Sequence, residues 1–552
     1  MSTPSRTVPL DAIVRRAQVV PRPGPASSGS AAGSRPDAIA ISDGGIVAVG
    51  TWEDVREDAD GSTRILDAGG RVVVPAFIDA HTHFHRGAVL GRCFLDVEAA
   101  APRTVEALLA LVAERSATLP DGAWLEGDGL SAARYAEKRF PDRHELDRAA
   151  GGRPVVLRGI GKHVVAASSA ALAAAGIDRT TEDPPGGRIE RDEAGDPTGV
   201  LHESAKLRLD TSRSDTVVPP VTPKERRAAV RDAVGDLHRA GIATIHEMIR
   251  MPEEAADLAA LHAAGELGVR VRLYYRVHES PLSLDWLLDL GVRHGRGDDW
   301  FKVLGIKISI DGFCIFRNAA VYEPYKNEPE NRGLLRIEPD RLDDLVARAA
   351  ANGLQVAVHA VGPRAVDLAL DAFERASQPT VAPHRLEHAY LDLDPTRIER
   401  IRRSGAVWST QPSFLGAYRR EWADAFEPDR IDHMMPIASG LRAGLPLILD
   451  SDYPCAPYDP VSAIRLAVER RCLDGSPHPE RIDTATAWQA MTTTPADVAG
   501  DGRLGRIEPG AKADLVVLDG DPFAAGADLA SVGVRSTLVD GIVVFGDDLW
   551  GG

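Results

Sequence analysis

The sequence predicts an α/β fold, a parallel (β/α)8 barrel of the TIM type carrying a small β unit assembled from both ends of the chain. Three observations predict it. Eight apolar runs of strand length are spread along the chain. Helical segments separate them, which is the rhythm of parallel βα units. Most of the runs end in a polar or ionisable residue, as barrel strands do where their carboxyl ends form an active-site face.

Residues 1–73 form the N-terminal part of the β unit. Short β patterns (DAIVRRAQVV, DAIAISDGGIVAVG, RILDAGGRVVVPAF) alternate with Gly-rich turns, and RPGPASSGSAAGSRP at 22–36 has the composition of a surface loop. The barrel occupies 74–495, with strands expected at AFIDAHTH, GIATIHEM, VRVRLYYRV, VLGIKISID, LQVAVHAVG, HRLEHAY, AVWSTQP and LPLILDSDYP. The interval between the first and second strands, roughly 90 to 240, is too long for one connection. It holds an inserted α/β subdomain, about 100–235, marked by TVEALLALVAERSATL, PVVLRGIGKH and AASSAALAAAGI and placed to roof the site. Residues 496–552 repeat the β texture in ADLVVLDGDP and STLVDGIVVFGD and complete the β unit.

The 552 residues, 44% hydrophobic and 26% charged, suit one large barrel with an appendage or two to four smaller domains. A net charge of −17, from 64 Lys and Arg against 81 Asp and Glu, disfavours nucleic acid and anionic membrane as partners. Four scattered cysteines without a CxxC pair suggest neither a disulfide framework nor a thiolate metal cluster, and fit the cytoplasm. MSTPSRTVPLDAIVRR lacks the apolar core of a signal peptide, and AASSAALAAAGI is too short and polar to span a bilayer. The expected partner is a small molecule, and a homodimer is left open.

VPAFIDAHTHFHR at 74–86 puts His81, His83 and His85 just after an apolar run. Side chains at i and i+2 of a strand point the same way, so His81 and His83 can converge on one ion. The other strand ends bring Lys307, His359, His388 and Asp452 to the same mouth. Imidazoles and a carboxylate without nearby thiolates suit zinc, or a related divalent ion, in a catalytic site with an open position. A protonated Lys307 cannot ligate a cation. A carbamate made on it from CO2 can, and its two oxygens can bridge two metals. His85 lies beyond the expected strand end, and His246 has Glu247 beside it to hold it; neither is read as a ligand.

Several segments together carry a family resemblance: PAFIDAHTH, GIGKHVVAASSAALAAAGI, GIATIHEM, KISIDG, AVHAVG, HRLEHA, DSDYP and GRIEPGAKADLVVLDGDP. The chain resembles the amidohydrolase superfamily, in the branch of YtcJ-like hydrolases and N-substituted formamide deformylases, amidohydrolase family 3. The resemblance implies a distorted barrel flanked by a β-sandwich built from both termini. It also implies that His81, His83, carboxylated Lys307, His359, His388 and Asp452 hold one or two zinc ions. Arg317, in GFCIFRNAAVYEPY, falls where the family often has an arginine near the site. His163 has two readings, a donor to substrate or a structural histidine of the insertion. The chain departs from the family at Ala76 and Pro363, where Gly and Asp are usual.

The parts imply hydrolysis of a C–N bond, amide-like by preference, by metal-activated water, with Asp452 taking the water's proton and passing it to the leaving nitrogen. Deamination and carbamate or ester hydrolysis are the alternatives. A catalytically dead scaffold barrel is disfavoured because every expected ligand residue is present. The loops FHRGAVLGRCFLDV and VYEPYKNEP, with Trp408 and Trp422, are expected to line an apolar pocket over the metal, and Arg317 to anchor a substrate carboxylate.

Overall fold

The computed structural model describes residues 9–22, 36–159, 164–209, 216–376 and 382–550. Two compact units emerge, His85–Val230 and the rest of the chain. Most of the loop expected at 22–36 lies outside the described residues.

The larger unit contains an eight-stranded parallel sheet whose strands we label β1 (Phe77–Thr82), β2 (Ile242–Ile249), β3 (Arg270–Arg276), β4 (Phe301–Ser309), β5 (Gln355–Ala360), β6 (Arg385–His388), β7 (Val407–Thr410) and β8 (Leu447–Leu449). They pair in sequence order, so all eight strands expected from the sequence occur in an almost closed barrel. The seam between β8 and β1 has no regular ladder because β8 is only three residues long. Short contacts past its end close it instead: Asp452 N donates to His81 O at 2.9 Å, and His83 N to Tyr453 O at 2.7 Å.

Helices cover the outer face for the usual reason, one apolar stripe each. In Pro339–Ala351 the buried residues Leu342, Leu345, Val346 and Ala349 recur at helical spacing. Pro363–Arg375 begins with proline at its first turn after Gly362, where a missing N–H costs nothing. That accounts for proline at this departure from the family pattern.

Two sheets flank the barrel. One runs in the order Gly45–Gly50, Ala38–Ser42, Ala12–Arg15, Arg64–Asp67. The other joins Gln18–Val19 and Val72–Pro75 to Leu515–Asp519, Gly533–Val539 and Ile542–Phe545. Val14, Ile39 and Leu66 of the first share one buried cluster with Val73, Leu515, Val517 and Leu538 of the second. Sequence-distant ends thus close a common core, which is a β-sandwich.

The smaller unit has its own six-stranded sheet, from Gly187–Arg191 at one edge to Leu95–Asp96 at the other, with the helices Val105–Thr118 and Arg143–Ala150. Leu108, Val112, Leu146, Val155 and Leu157 are in its core. This unit begins directly after β1, at His85, and ends at Val230 within the helix Pro223–Arg239.

Candidate metal centre

Period-two alternation puts Asp79, His81 and His83 on one face of β1 and its extension. The opposite face packs outward, Ile78 against Ala496 and Leu504, and Ala80 against Val407, Ile448 and Val498. The histidines therefore face the barrel interior. On β4, alternation likewise separates Lys307 from the buried Ile306 and Ile308.

His388 obeys a different rule. Arg385 and Glu387 share the interior face of β6, so alternation alone would turn His388 outward. Its backbone instead enters the left-handed region, with φ of 72°, followed by Ala389 at 44°. The ring comes within 5.1 Å of His81 and 4.4 Å of His359, centroid to centroid. Asp452, just past β8, is also left-handed at φ 52°. Strained backbone of this kind persists where surrounding structure enforces it, often at functional sites.

Each of the four imidazoles has one nitrogen bonded to a protein acceptor. His81 Nδ1 lies 2.6 Å from Glu387 Oε2, and His83 Nδ1 lies 3.0 Å from Met248 O. His359 Nε2 lies 3.0 Å from Gly312 O, and His388 Nδ1 lies 2.8 Å from Gln411 Oε1. The side-chain amide of Gln411 in turn donates to Asp450 at 2.7 Å. A neutral imidazole that donates through one nitrogen carries a lone pair on the other, which is the ligand form.

The donor atoms also have the right spacing. Asp452 Oδ1 lies 3.5 Å from His81 Nε2 and 3.7 Å from His83 Nε2. Ligands about 2.1 Å from a tetrahedral zinc stand roughly 3.4 Å from one another. Lys307 Nζ is 3.1 Å from His81 Nε2. His81, His83 and Asp452 therefore have the spacing of ligands to one divalent ion.

Electrostatics point the same way. Burial, then Lys307, holds His81 well below the ordinary imidazole value; burial, then His359, does the same for His388. Both are neutral. Burial lowers the Lys307 amine to about 8 against the pull of Glu387 and Asp452. It raises Asp452 to about 7 against the pull of Lys307, and Asp79 to about 6 against its bonds to Ser451. Burial also works to raise Glu387, but Arg385 and then Lys307 outweigh it and hold this carboxyl below its usual value.

Below the mouth the barrel is filled by a polar network. Arg385 pairs with Glu387 at 2.7 Å and reaches Ala80 O at 2.8 Å, His246 Nδ1 at 3.0 Å and Ser409 Oγ at 3.1 Å. His246 is thus held by Arg385, while the neighbouring Glu247 accepts the Phe84 N–H at 2.7 Å. Glu387, Asp450, Gln411 and Arg385 were not singled out from the sequence. Their signals were there: Arg385 and Glu387 at i and i+2 in HRLEHA, and Asp450 in DSDYP.

Other expectations fall elsewhere. His163 lies outside the described residues. Arg317 sits at φ 53°, its guanidinium paired with Glu328 and bonded to Asp424 O at 2.7 Å, so it stitches two loops together. Trp408 and Trp422 line no mouth. They are 0% and 1% exposed, and Trp408 Nε1 donates to His388 O at 2.9 Å. Their large apolar rings are used in the core. Tyr325 of VYEPYKNEP is likewise buried and donates to Ala319 O. One aromatic neighbour of the site is Phe414, stacked on His388 at 6.4 Å and packed against Phe313 and Tyr418. Phe316, next to Phe313, is 66% exposed.

Residues 64–545 match the amidohydrolase family. The chain is 30% identical to YtcJ of Bacillus subtilis over 528 residues, 93% of this chain and 96% of that one. It is 29% identical to the N-substituted formamide deformylase of Arthrobacter pascens, over 92% of this chain and 94% of that one. The crystal structure of an uncharacterised metal-dependent hydrolase from Pyrococcus furiosus is 26% identical and superposes with a TM-score of 0.74, covering 93% of this chain and all of the other. With barrel, sandwich and donor set in view, this chain belongs to the amidohydrolase family of metal-dependent hydrolases.

Proposed function

We propose that the protein hydrolyses the C–N bond of a small amide, with His81, His83, His359, His388, Asp452 and a carboxylated Lys307 holding one or two zinc ions. The observation that carries this reading is the set of four imidazoles, each fixed through one nitrogen by a protein acceptor. A divalent ion bound there would lower the pKa of a water towards neutrality and polarise a carbonyl.

The chain's own residues supply the rest. Asp452, whose Oδ1 lies 3.5 Å from His81 Nε2 and 3.7 Å from His83 Nε2, is positioned to take a proton from a water held there and give it up to a leaving nitrogen. Lys307, lowered to about 8, presents a neutral amine more readily than an exposed lysine does. Its nitrogen forms a bond to the carbon of CO2, one C–O π bond opens and one proton is lost from nitrogen, which leaves a carbamate whose single negative charge is shared by two oxygens. Glu387, and Asp450 through Gln411, hold the tautomers of His81 and His388. Phe313 and Tyr418, partly exposed and packed on the buried Phe414, favour a substrate with an aromatic or alkyl group.

The name of the Arthrobacter pascens relative supports N-substituted formamides as the first substrates to try. The test is a panel of N-substituted formamides, N-acyl amino acids, lactams and aryl esters, assayed with and without a chelator. Metal-dependent cleavage of at least one amide is expected. Release of ammonia from amino-purines, pyrimidines or triazines with every amide intact would replace this reading with deamination.

A further inference from the structure

A groove of about 710 Å3 in the larger unit is lined by the helices Ser413–Ala417, Arg419–Ala425 and Pro460–Val468 and by the segment that follows the last of them. This volume is in the range of small-molecule sites, about 300–1,000 Å3. Leu415, Arg419 and Trp422 reach it at i, i+4 and i+7 from the two consecutive helices. Leu466 faces it from the third helix, so part of its wall is apolar.

Its charge is opposite to that of the chain. Five arginines, Arg419, Arg465, Arg470, Arg471 and Arg481, line it against two acids, Asp432 and Glu469, in a protein with a net charge of −17. Two of the five are accounted for. Arg470 is buried and holds the carbonyls of Met434 and Met435, and Arg465 has Glu469 at 3.7 Å. Arg419, Arg471 and Arg481 bond only to main-chain carbonyls, those of Arg471, Gly475 and His478, and meet no carboxylate among the described residues. A guanidinium has five N–H donors, so each keeps several to offer.

A second observation is independent of charge. Trp422 lines the groove at 1% exposure, and its indole N–H has no acceptor among the described residues. An unmet buried donor is costly and asks for an explanation. The nearby trio Asp432, Cys472 and His478 does not supply a metal site. His478 Nε2 bonds Asp432 O at 2.6 Å, and its Nδ1 accepts the Glu480 N–H at 3.0 Å, so neither ring nitrogen is left for an ion.

We propose that this groove binds a free amphipathic organic monocarboxylate, its carboxylate among Arg419, Arg471 and Arg481 and its apolar body along the partly exposed Leu415 and Leu466. Guanidinium forks match a carboxylate bidentately, and the apolar wall selects against inorganic anions. The proposal does not depend on the reaction at the metal centre.

Octanoate titrated into the full-length protein, followed by tryptophan fluorescence and calorimetry, should fill one saturable site. Octanol, with the chain but not the charge, and inorganic phosphate, with the charge but not the chain, should each bind about tenfold more weakly or worse. Arg481→Gln, at an exposed position, should weaken octanoate about fivefold, and Arg419→Ala with Arg471→Ala about tenfold or more. Wild-type affinity in these variants, with far-UV circular dichroism unchanged, overturns the proposal, because a carboxylate caught at the metal centre would ignore these arginines. Octanol binding as tightly as octanoate overturns it too. So does a dimer that Arg481→Gln dissociates, or a glutamate-rich peptide that binds where octanoate does not; either assigns the groove to a protein partner.

Discussion

Glu387 Oε2 accepts a hydrogen bond from His81 Nδ1 at 2.6 Å, between two side chains sealed from solvent and 306 residues apart in the chain. The carboxylate is itself anchored by Arg385, so the tautomer of the first-strand histidine is set by a buried ion pair on the sixth strand. Glu387→Gln keeps the shape and removes the charge. Metal affinity should fall about 10–100-fold, the usual cost of losing such a partner. Competition against a fluorescent chelator measures it, and an unchanged affinity would show that Glu387 does not orient His81.

Replacing His81 or His359 with Ala should abolish amide hydrolysis and lower bound metal while far-UV circular dichroism stays that of the wild type. The histidines lie at strand ends, and the β1 apolar face that packs on Ala496, Leu504 and Val498 is untouched. Elemental analysis of both variants is the check; full metal content in both refutes the ligand assignment.

Lys307→Ala should lose most activity, and formate or propionate should restore part of it by taking the place of the carbamate oxygens. Bicarbonate should speed metal reconstitution of the wild type. An intact, unmodified amine in a metal-loaded crystal structure would rule the carbamate out.

The pH dependence of stability isolates Asp452. Its carboxyl titrates at about 7 in the metal-free fold and near 3.9 in an unfolded chain. Between these values the folded state holds a proton that the unfolded state has lost, so this group's contribution is full below about pH 4 and fades as pH rises to about 7. Metal-free Asp452→Asn lacks that loss. Its stability relative to wild type should therefore grow, by up to a few kcal/mol, from pH 4 to pH 7. Urea denaturation of both proteins across this range measures the difference, and a flat difference would mean that Asp452 is not desolvated. With substrate and metal present, the same change should lower kcat by orders of magnitude and leave KM nearly unchanged.

What the sequence determined by itself was local. A strand's alternation follows from its backbone, so HxH on β1 and Lys307 among isoleucines on β4 announce their faces without knowledge of the rest of the chain. The order of eight strands and a long insertion follow from the spacing of apolar runs. What only the tertiary structure decided depends on closure of the barrel and on backbone conformations that no pattern encodes. The left-handed turn at His388 reverses the face that alternation assigns. Closure brings Glu387 to His81 and Asp450, through Gln411, to His388. It also sends Trp408 and Trp422 into the core, where two large apolar rings gain more from burial than from a place at the mouth, and it commits Arg317 to Glu328 and the Asp424 carbonyl. Residue type announces that a histidine can be a ligand. Its partner across the barrel, supplied by folding, fixes which nitrogen carries the lone pair.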